Sequence, residues 1–486
     1  MKAFLHPASL CLAIGSLAFG QGSLTPPGPP GPTMKTLNEV EPRTPLNQGN
    51  TPGDSTCVFK ITQPGSYVLT GNLTPPSGKH GIVIALPTSG GVVVDLMGYT
   101  INGQNAGAGA SGFVEMPNDE EAWLAIKNGG IRGFSGPNIK IDPAFLGDTA
   151  THEVGHWAGL NAVDCQGRLT MTGGSIQNPT GAAVIMGSDS VLSGVQIRDS
   201  NAGTTPLIVA GGARHMLTDI FVSSISTGNS NPAAILLGPG SKISGMNARF
   251  VGGTYTGTVM GTTSGFMDIT GLDIVMTNVT AVTGVSSLAT SVQHPYELNG
   301  SSTADGSTNQ WPLVITAVNS TFSSAVCMTP SNLASDDYCP RIHLEGTTTT
   351  TSAYVGTCDA STHAVTVSIA STASVTDAIV QISGSGNTIQ ADIRGISGGG
   401  TGVRILSGVG NSVEGCRFIG RGDNALTAVR LDNGVTNTLV RNNRGTRWAG
   451  GSVMVQNLSD NSNAIAPVVN STNLSTNSNP MANFVQ

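Results

Sequence analysis

Short apolar strands ending in Gly, Asn or Asp recur along most of this chain at a nearly constant step. Leu192-Ser-Gly-Val-Gln-Ile197, Leu217-Thr-Asp-Ile-Phe-Val222 and Ile243-Ser-Gly-Met-Asn-Ala248 are separated by 25 and 26 residues, and Ile389-Gln-Ala-Asp-Ile393 precedes Val413-Glu-Gly-Cys-Arg-Phe418 by 24. A fixed period in this range marks one structural unit stacked on itself. No unit of that size buries its own apolar face, so the core must come from the stack.

A second strand set runs out of phase with the first. It includes Ala182-Ala-Val-Ile-Met186, Pro206-Leu-Ile-Val-Ala210, Gly402-Val-Arg-Ile-Leu406 and Thr427-Ala-Val-Arg-Leu431. Each period therefore holds at least two strands joined by Gly-, Asn- and Ser-rich turns, and no sustained helical period lies nearby. A leucine-rich repeat would need a regular Leu/Asn consensus, and a propeller blade a longer unit. The pattern predicts an all-β chain, one right-handed parallel β-helix solenoid with an N-terminal cap and a short signal helix. Composition agrees: Gly is 65 of 486 residues and charged residues are 10 %. Glycine permits the positive φ of tight corners, and stacked strands can ladder Asn side chains.

Residues 1–20 read as a signal peptide. Lys2 precedes an apolar run from Phe4 to Phe19, and Ala18-Phe-Gly20 offers small residues for cleavage near Gly20. The expected location is therefore outside the cell, at its surface or in a periplasm. No later segment is long and apolar enough to span a membrane. The net charge of −7, or −8 without Lys2, argues against a nucleic-acid partner. Residues 21–53 contain Thr25-Pro-Pro-Gly-Pro-Pro-Gly-Pro32 and read as an extended Pro-rich arm. Residues 54–80 read as the N-terminal cap, 81–286 as coils with a protrusion near 142–160, 287–375 as an irregular excursion or small β insert, and 376–486 as C-terminal coils and tail.

Thr33-Met-Lys-Thr-Leu-Asn-Glu-Val-Glu-Pro-Arg-Thr-Pro45, Ile61-Thr-Gln-Pro-Gly-Ser-Tyr67, Ser77-Gly-Lys-His-Gly-Ile82, Val94-Asp-Leu-Met-Gly-Tyr99 and Asn479-Pro-Met-Ala-Asn-Phe484 are further landmarks. With them, residues 23–140 and 376–486 resemble a largely uncharacterised family of secreted bacterial right-handed β-helix proteins, pectin-lyase-like in fold. The resemblance implies the fold and export. It carries over no catalytic residues.

One motif has sharp chemistry. Thr151-His-Glu-Val-Gly-His156 contains H-E-x-x-H. On a helix, His152 and His156 would share a face and bind Zn²⁺, with Glu153 as general base on the bound water. The position six residues after the second His, where metzincin proteases place a third ligand, is Ala162; Asp164 is the nearest alternative. Gly155 and Gly159 weaken a helix here, and coil strands flank the segment. Asp336, Asp337 and Asp359 read as solvated loop carboxylates, with calcium ligation the alternative. No cofactor is expected.

Six cysteines remain after the signal, and Cys327 with Cys339, flanking a short polar loop, is the pairing candidate; Cys416 reads as a buried thiol. Arg394, Arg404, Arg417 and Arg430, with Asp392, Glu414 and Asp432, recur on the C-terminal coils and would line a glycan-cleaving face or stand as solvated outward positions. The leading expectation is a non-catalytic structural or binding module, with polysaccharide or cell-surface glycan as partner. The alternatives are a polysaccharide lyase or glycoside hydrolase, and then a zinc hydrolase at His152, Glu153 and His156. The sequence does not set the oligomeric state.

Overall fold

The computed structural model describes residues 43–486, apart from 88–89, 117–121, 142–150, 156–162, 166, 180–181, 200–206, 226–229, 232–233, 263–266, 289–312, 330–336, 339, 358, 398, 424, 460–461, 470–481 and 486. The chain divides into two units, Met1–Arg43 and Thr44–Gln486. The first, with the expected signal helix and most of the arm, lies outside the described residues except for Arg43.

Every element among the described residues is a strand, and the ladders are parallel. One coil shows the plan. Val184–Met186 runs along one wall, Val191–Ser193 along a second and Gln196–Asp199 along a third; Ile208–Ala210 then lies in register on Val184–Met186. We call these the return wall, the first wall and the second wall. The return-wall ladder continues without a break from Cys57–Ile61 to Val453–Asn457. This is a parallel β-solenoid.

Alternation along each strand builds the core. Leu313–Val318 buries Leu313, Ile315 and Ala317 and leaves Val314, Thr316 and Val318 half-buried. Because successive coils are in register, the inward positions become columns. One on the second wall reads Ile176, Ile197, Val222, Ala248, Ile274, Ile315, Ile342, Val367, Ile393 and Phe418, all fully buried. Burying each large aliphatic side chain contributes about 1.5–3 kcal/mol.

The corner between the first and second walls needs left-handed backbone. Gly194, Asp219, Gly245 and Gly271 occupy it in successive coils with φ of 65°, 52°, 70° and 93°. Their amides bond the next coil, as Gly194 N–H does to the Thr218 carbonyl and Asp219 N–H to that of Ser244. Other corners carry buried side-chain ladders. The Ser361 amide donates to Asn387 Oδ1 at 3.0 Å and the Asn387 amide to Asn411 Oδ1 at 2.9 Å. In the later coils the corner between the first and second walls has a ladder too: the Cys416 amide donates to Asn443 Oδ1, and Asn443 Nδ2 to Asn483 Oδ1.

Three segments differ from the sequence expectation. Residues 313–375 are regular coils: Leu313–Val318 pairs with Met267–Thr277 and Arg341–Glu345, and Thr321–Thr329 with Thr280–Leu288 and Thr349–Thr357. Their inward positions alternate with Thr, Ser and Val, which hid the period. At the entry to this segment the step from Ile274 to Ile315 exceeds one coil, and 289–312 lie within it outside the described residues. Residues 151–155 form a strand in the wall, between Ala122–Lys127 and Arg168–Thr172, where a protrusion with helical turns was expected. Thr44–Pro45 and Cys57–Ile61 pair with Gly65–Val68 and His80–Ile84, so the expected arm end and cap are built into the first coils.

Candidate functional site

The strand at Thr151–Gly155 changes the zinc argument. His152 and Glu153 pair in register with Leu169 and Thr170, so this backbone does not form the helical face on which H-E-x-x-H depends. Flanking strands supply hydrogen-bond partners to the whole segment, and Gly155 disfavours the helical alternative. His156 lies outside the described residues. Asp164 belongs to Val163–Cys165 on the return wall, a different ladder from that of His152. Among the described residues no group of three or more His, Cys, Asp or Glu converges as a metal site would. Asp337 lies in the short strand Asp337–Tyr338, and Asp359 Oδ1 accepts the Ser385 amide; Asp336 lies outside the described residues.

Cys57, Cys165 and Cys416 are buried free thiols, and Cys327 is half-buried and free. Cys339 lies outside the described residues. Burial pushes the Cys416 thiol up to about 12.

The charged C-terminal candidates fall on three walls. Arg404 and Arg430 stand on the return wall in a closed network. Arg404 lies 2.7 Å from both Asp377 and Asp432, and Arg430 lies 2.8 Å from Asp432. Burial raises the Asp432 carboxyl, but hydrogen bonds from Arg404 and Arg430 outweigh it and hold the group below its usual range. Glu414, on the first wall, pairs with Arg441 at 2.7 Å. These charges neutralise one another.

The second wall is different. Two outward columns flank its core column, two residues apart along each strand. One reads Gln196, Phe221, Asn247, Asp273, Val314, Arg341, Thr366, Asp392, Arg417, Arg444; the other reads Arg198, Ser223, Arg249, Val275, Thr316, His343, Ser368, Arg394, Ile419, Thr446. They carry six arginines, all exposed, against two aspartates. Arg198 lies over the Phe221 ring, 5.9 Å from its centroid, and Arg394 bonds Asp392 at 3.0 Å. Among the described residues, Arg417 and Arg444 have no ion-pair partner. Coils repeat every ~4.8 Å, so the arginines form a charged strip along the solenoid axis.

Near its C-terminal end this wall becomes concave. The register runs from Arg394 opposite Ile419 to Ile396 opposite Gly420, leaving Gly395 as an extra residue in a β-bulge. Gly395 has φ of 85°, and a Cβ there would stand 2.2 Å from the Ile369 carbonyl oxygen, so the bulge requires glycine. The resulting recess, about 590 Å³, is lined by Arg394, Arg417, Arg421 and Arg447 with Thr446 and Ser371. Arg421 reaches back to the carbonyls of Ala370, Ser371 and Ala373.

This arrangement suits anion binding better than glycosidic hydrolysis. Asp273 and Asp392, the two carboxylates on these columns, are four coils apart, roughly 19 Å at ~4.8 Å per coil. Paired-carboxylate glycosidases need about 5–9.5 Å. Sequence reasoning picked out Arg394 and Arg417 but missed Arg198, Arg249, Arg341 and Arg444, because only the register shows that they share a wall. No protein-family model matches the chain, and no curated protein or solved structure matches it. Among the described residues, no helix is long and apolar enough to cross a membrane.

Proposed function

We propose that this chain is a secreted β-solenoid binding module that holds an anionic polysaccharide along its second wall. The observation that carries the reading is charge segregation: six exposed arginines against two aspartates on the two outward columns of one wall, with Glu345 further along it, in a chain with net charge −7. Guanidinium groups bind carboxylate and phosphate oxygens through paired donors. One hexose of an extended glycan is close in length to one coil spacing, so a linear polymer can meet successive arginines in step. Export fits the reading of residues 1–20. The low aromatic content, 5 %, favours recognition by charge over stacking on sugar rings.

The test is affinity electrophoresis in gels containing polygalacturonate, dextran sulfate, neutral dextran or double-stranded DNA. Retardation by the anionic glycans, absent with neutral dextran and weakening as salt rises, is the expected result. Replacing Arg417 and Arg444 together by Gln should weaken retention roughly tenfold. Stronger retention by DNA at equal salt, or none by either anionic glycan, would overturn the reading.

A further inference from the structure

The recess at the Gly395 bulge differs from the rest of the basic wall in three ways. It is concave, whereas the wall elsewhere is a flat ladder. It gathers four guanidinium groups, of which, among the described residues, only Arg394 has a carboxylate partner, Asp392. And the Nε of Arg421 is buried without a hydrogen-bond partner, although the rest of that guanidinium is anchored on three carbonyls. These bonds hold the guanidinium in place at the recess wall before any ligand arrives, so an anion there meets a pre-positioned charge.

Arg417, Arg421 and Arg447 leave a surplus of three positive charges around one small volume. A single carboxylate or sulfate ester, each with one negative charge, would neutralise only part of it. A phosphate monoester carries close to two charges at neutral pH and offers three acceptor oxygens. Arginine, unlike lysine, meets such oxygens with a rigid fork of donors. The recess volume is of the size that accepts a small ligand such as a sugar with its substituent.

We infer that the recess is a subsite for a phosphate monoester borne on a sugar. This rests on the glycan reading of the wall and narrows it to phosphorylated glycans. The phosphate would sit among Arg417, Arg421 and Arg447, with Arg394 and Thr446 at the rim.

The pH dependence has a definite sign. With a second phosphate pKa near 6, the dianion rises from roughly one-tenth to nine-tenths of the total between pH 5 and pH 7, so binding should tighten about tenfold. The charged groups lining the recess are the four arginines; Asp392 bonds Arg394, and Arg444 stands in the next coil opposite Arg417. His343 stands two coils below Arg394 in the same outward column. The His343→Gln variant separates any contribution of this side chain from that of the phosphate.

Isothermal titration of the full chain with glucose 6-phosphate, glucose 6-sulfate and glucuronate tests this. The phosphate monoester should bind tightest, with the tenfold pH response retained in His343→Gln. Arg417→Ala with Arg447→Ala should lose at least tenfold, and Arg198→Ala with Arg249→Ala, far along the wall, should lose nothing. Arg417→Lys, which keeps the charge and removes the fork, should weaken binding severalfold and guards against a folding defect in the double variant. Equal or tighter binding of the sulfate or the uronate, or a flat pH profile, would overturn the inference. Polymer retention without monoester binding would sink the subsite and leave the wall reading intact. Monoester binding without polymer retention would do the reverse.

Discussion

His363 sits fully buried in the core with its Nδ1 2.8 Å from the Tyr354 hydroxyl. Burial pulls its pKa down to about 4, against the opposing effect of a hydrogen bond to Asn387. His215, also buried, is pulled down to about 4 by the same cause. In the unfolded chain both would titrate near 6.5, so between about 4 and 6.5 the unfolded state binds more protons. Stability should therefore be complete above about pH 6.5 and fall as pH drops toward 4. Urea midpoints measured at pH 7, 5.5 and 4.5 should show this decline. His363→Phe should flatten part of it while lowering stability at pH 7 by about 1–3 kcal/mol, because Tyr354 loses its partner in the core. A pH-independent midpoint in the native chain would refute the assignment.

At the scale of the element, alternation and register divide the labour between neighbouring residues. Ile315 is fully buried between Ile274 and Ile342, whereas Val314, its neighbour, stands outward between Asp273 and Arg341. Ile315→Ala should cost about 2–5 kcal/mol and Val314→Ala well under half of that. Chemical denaturation of the two variants measures the difference, and equal losses would contradict the register. The corners follow a different rule. Gly245 has φ of 70°, and a Cβ there would meet Asp219 Oδ1 at 2.6 Å. The same place in the coil below is held by Asp219 itself, so the sequence signal is a recurring small or polar corner residue rather than an invariant glycine. That explains why the coils at 192, 217 and 243 were legible in the sequence. The coils at 313–375 were not, because their Thr- and Ser-rich strands blur the boundary between strand and turn.

For the whole molecule, the notable property is uneven charge. A chain of net charge −7 should pass a cation exchanger at neutral pH, yet the second wall concentrates six arginines. The protein should bind a sulfonate or heparin matrix at pH 7 and elute with moderate salt, and replacing Arg198, Arg249, Arg341 and Arg444 by Gln should lower the salt needed for elution. Retention unchanged by those substitutions would place the basic surface elsewhere. The amino-acid sequence alone determined the solenoid, since a period near 25 with two or more apolar strands leaves few ways to bury them except by stacking. It also marked Cys416 as a buried thiol and foresaw ladders of Asn. Only the tertiary structure decided which charges act together. Arg394 and Arg404 are ten residues apart and look alike in the sequence, but one stands on an open basic wall and the other is neutralised between Asp377 and Asp432. The same structure turned His152 and Glu153 from a helical motif into a wall strand. Periodicity is a local property that neighbouring residues write directly, whereas a surface is assembled from residues one coil apart, whose alignment depends on where each coil closes.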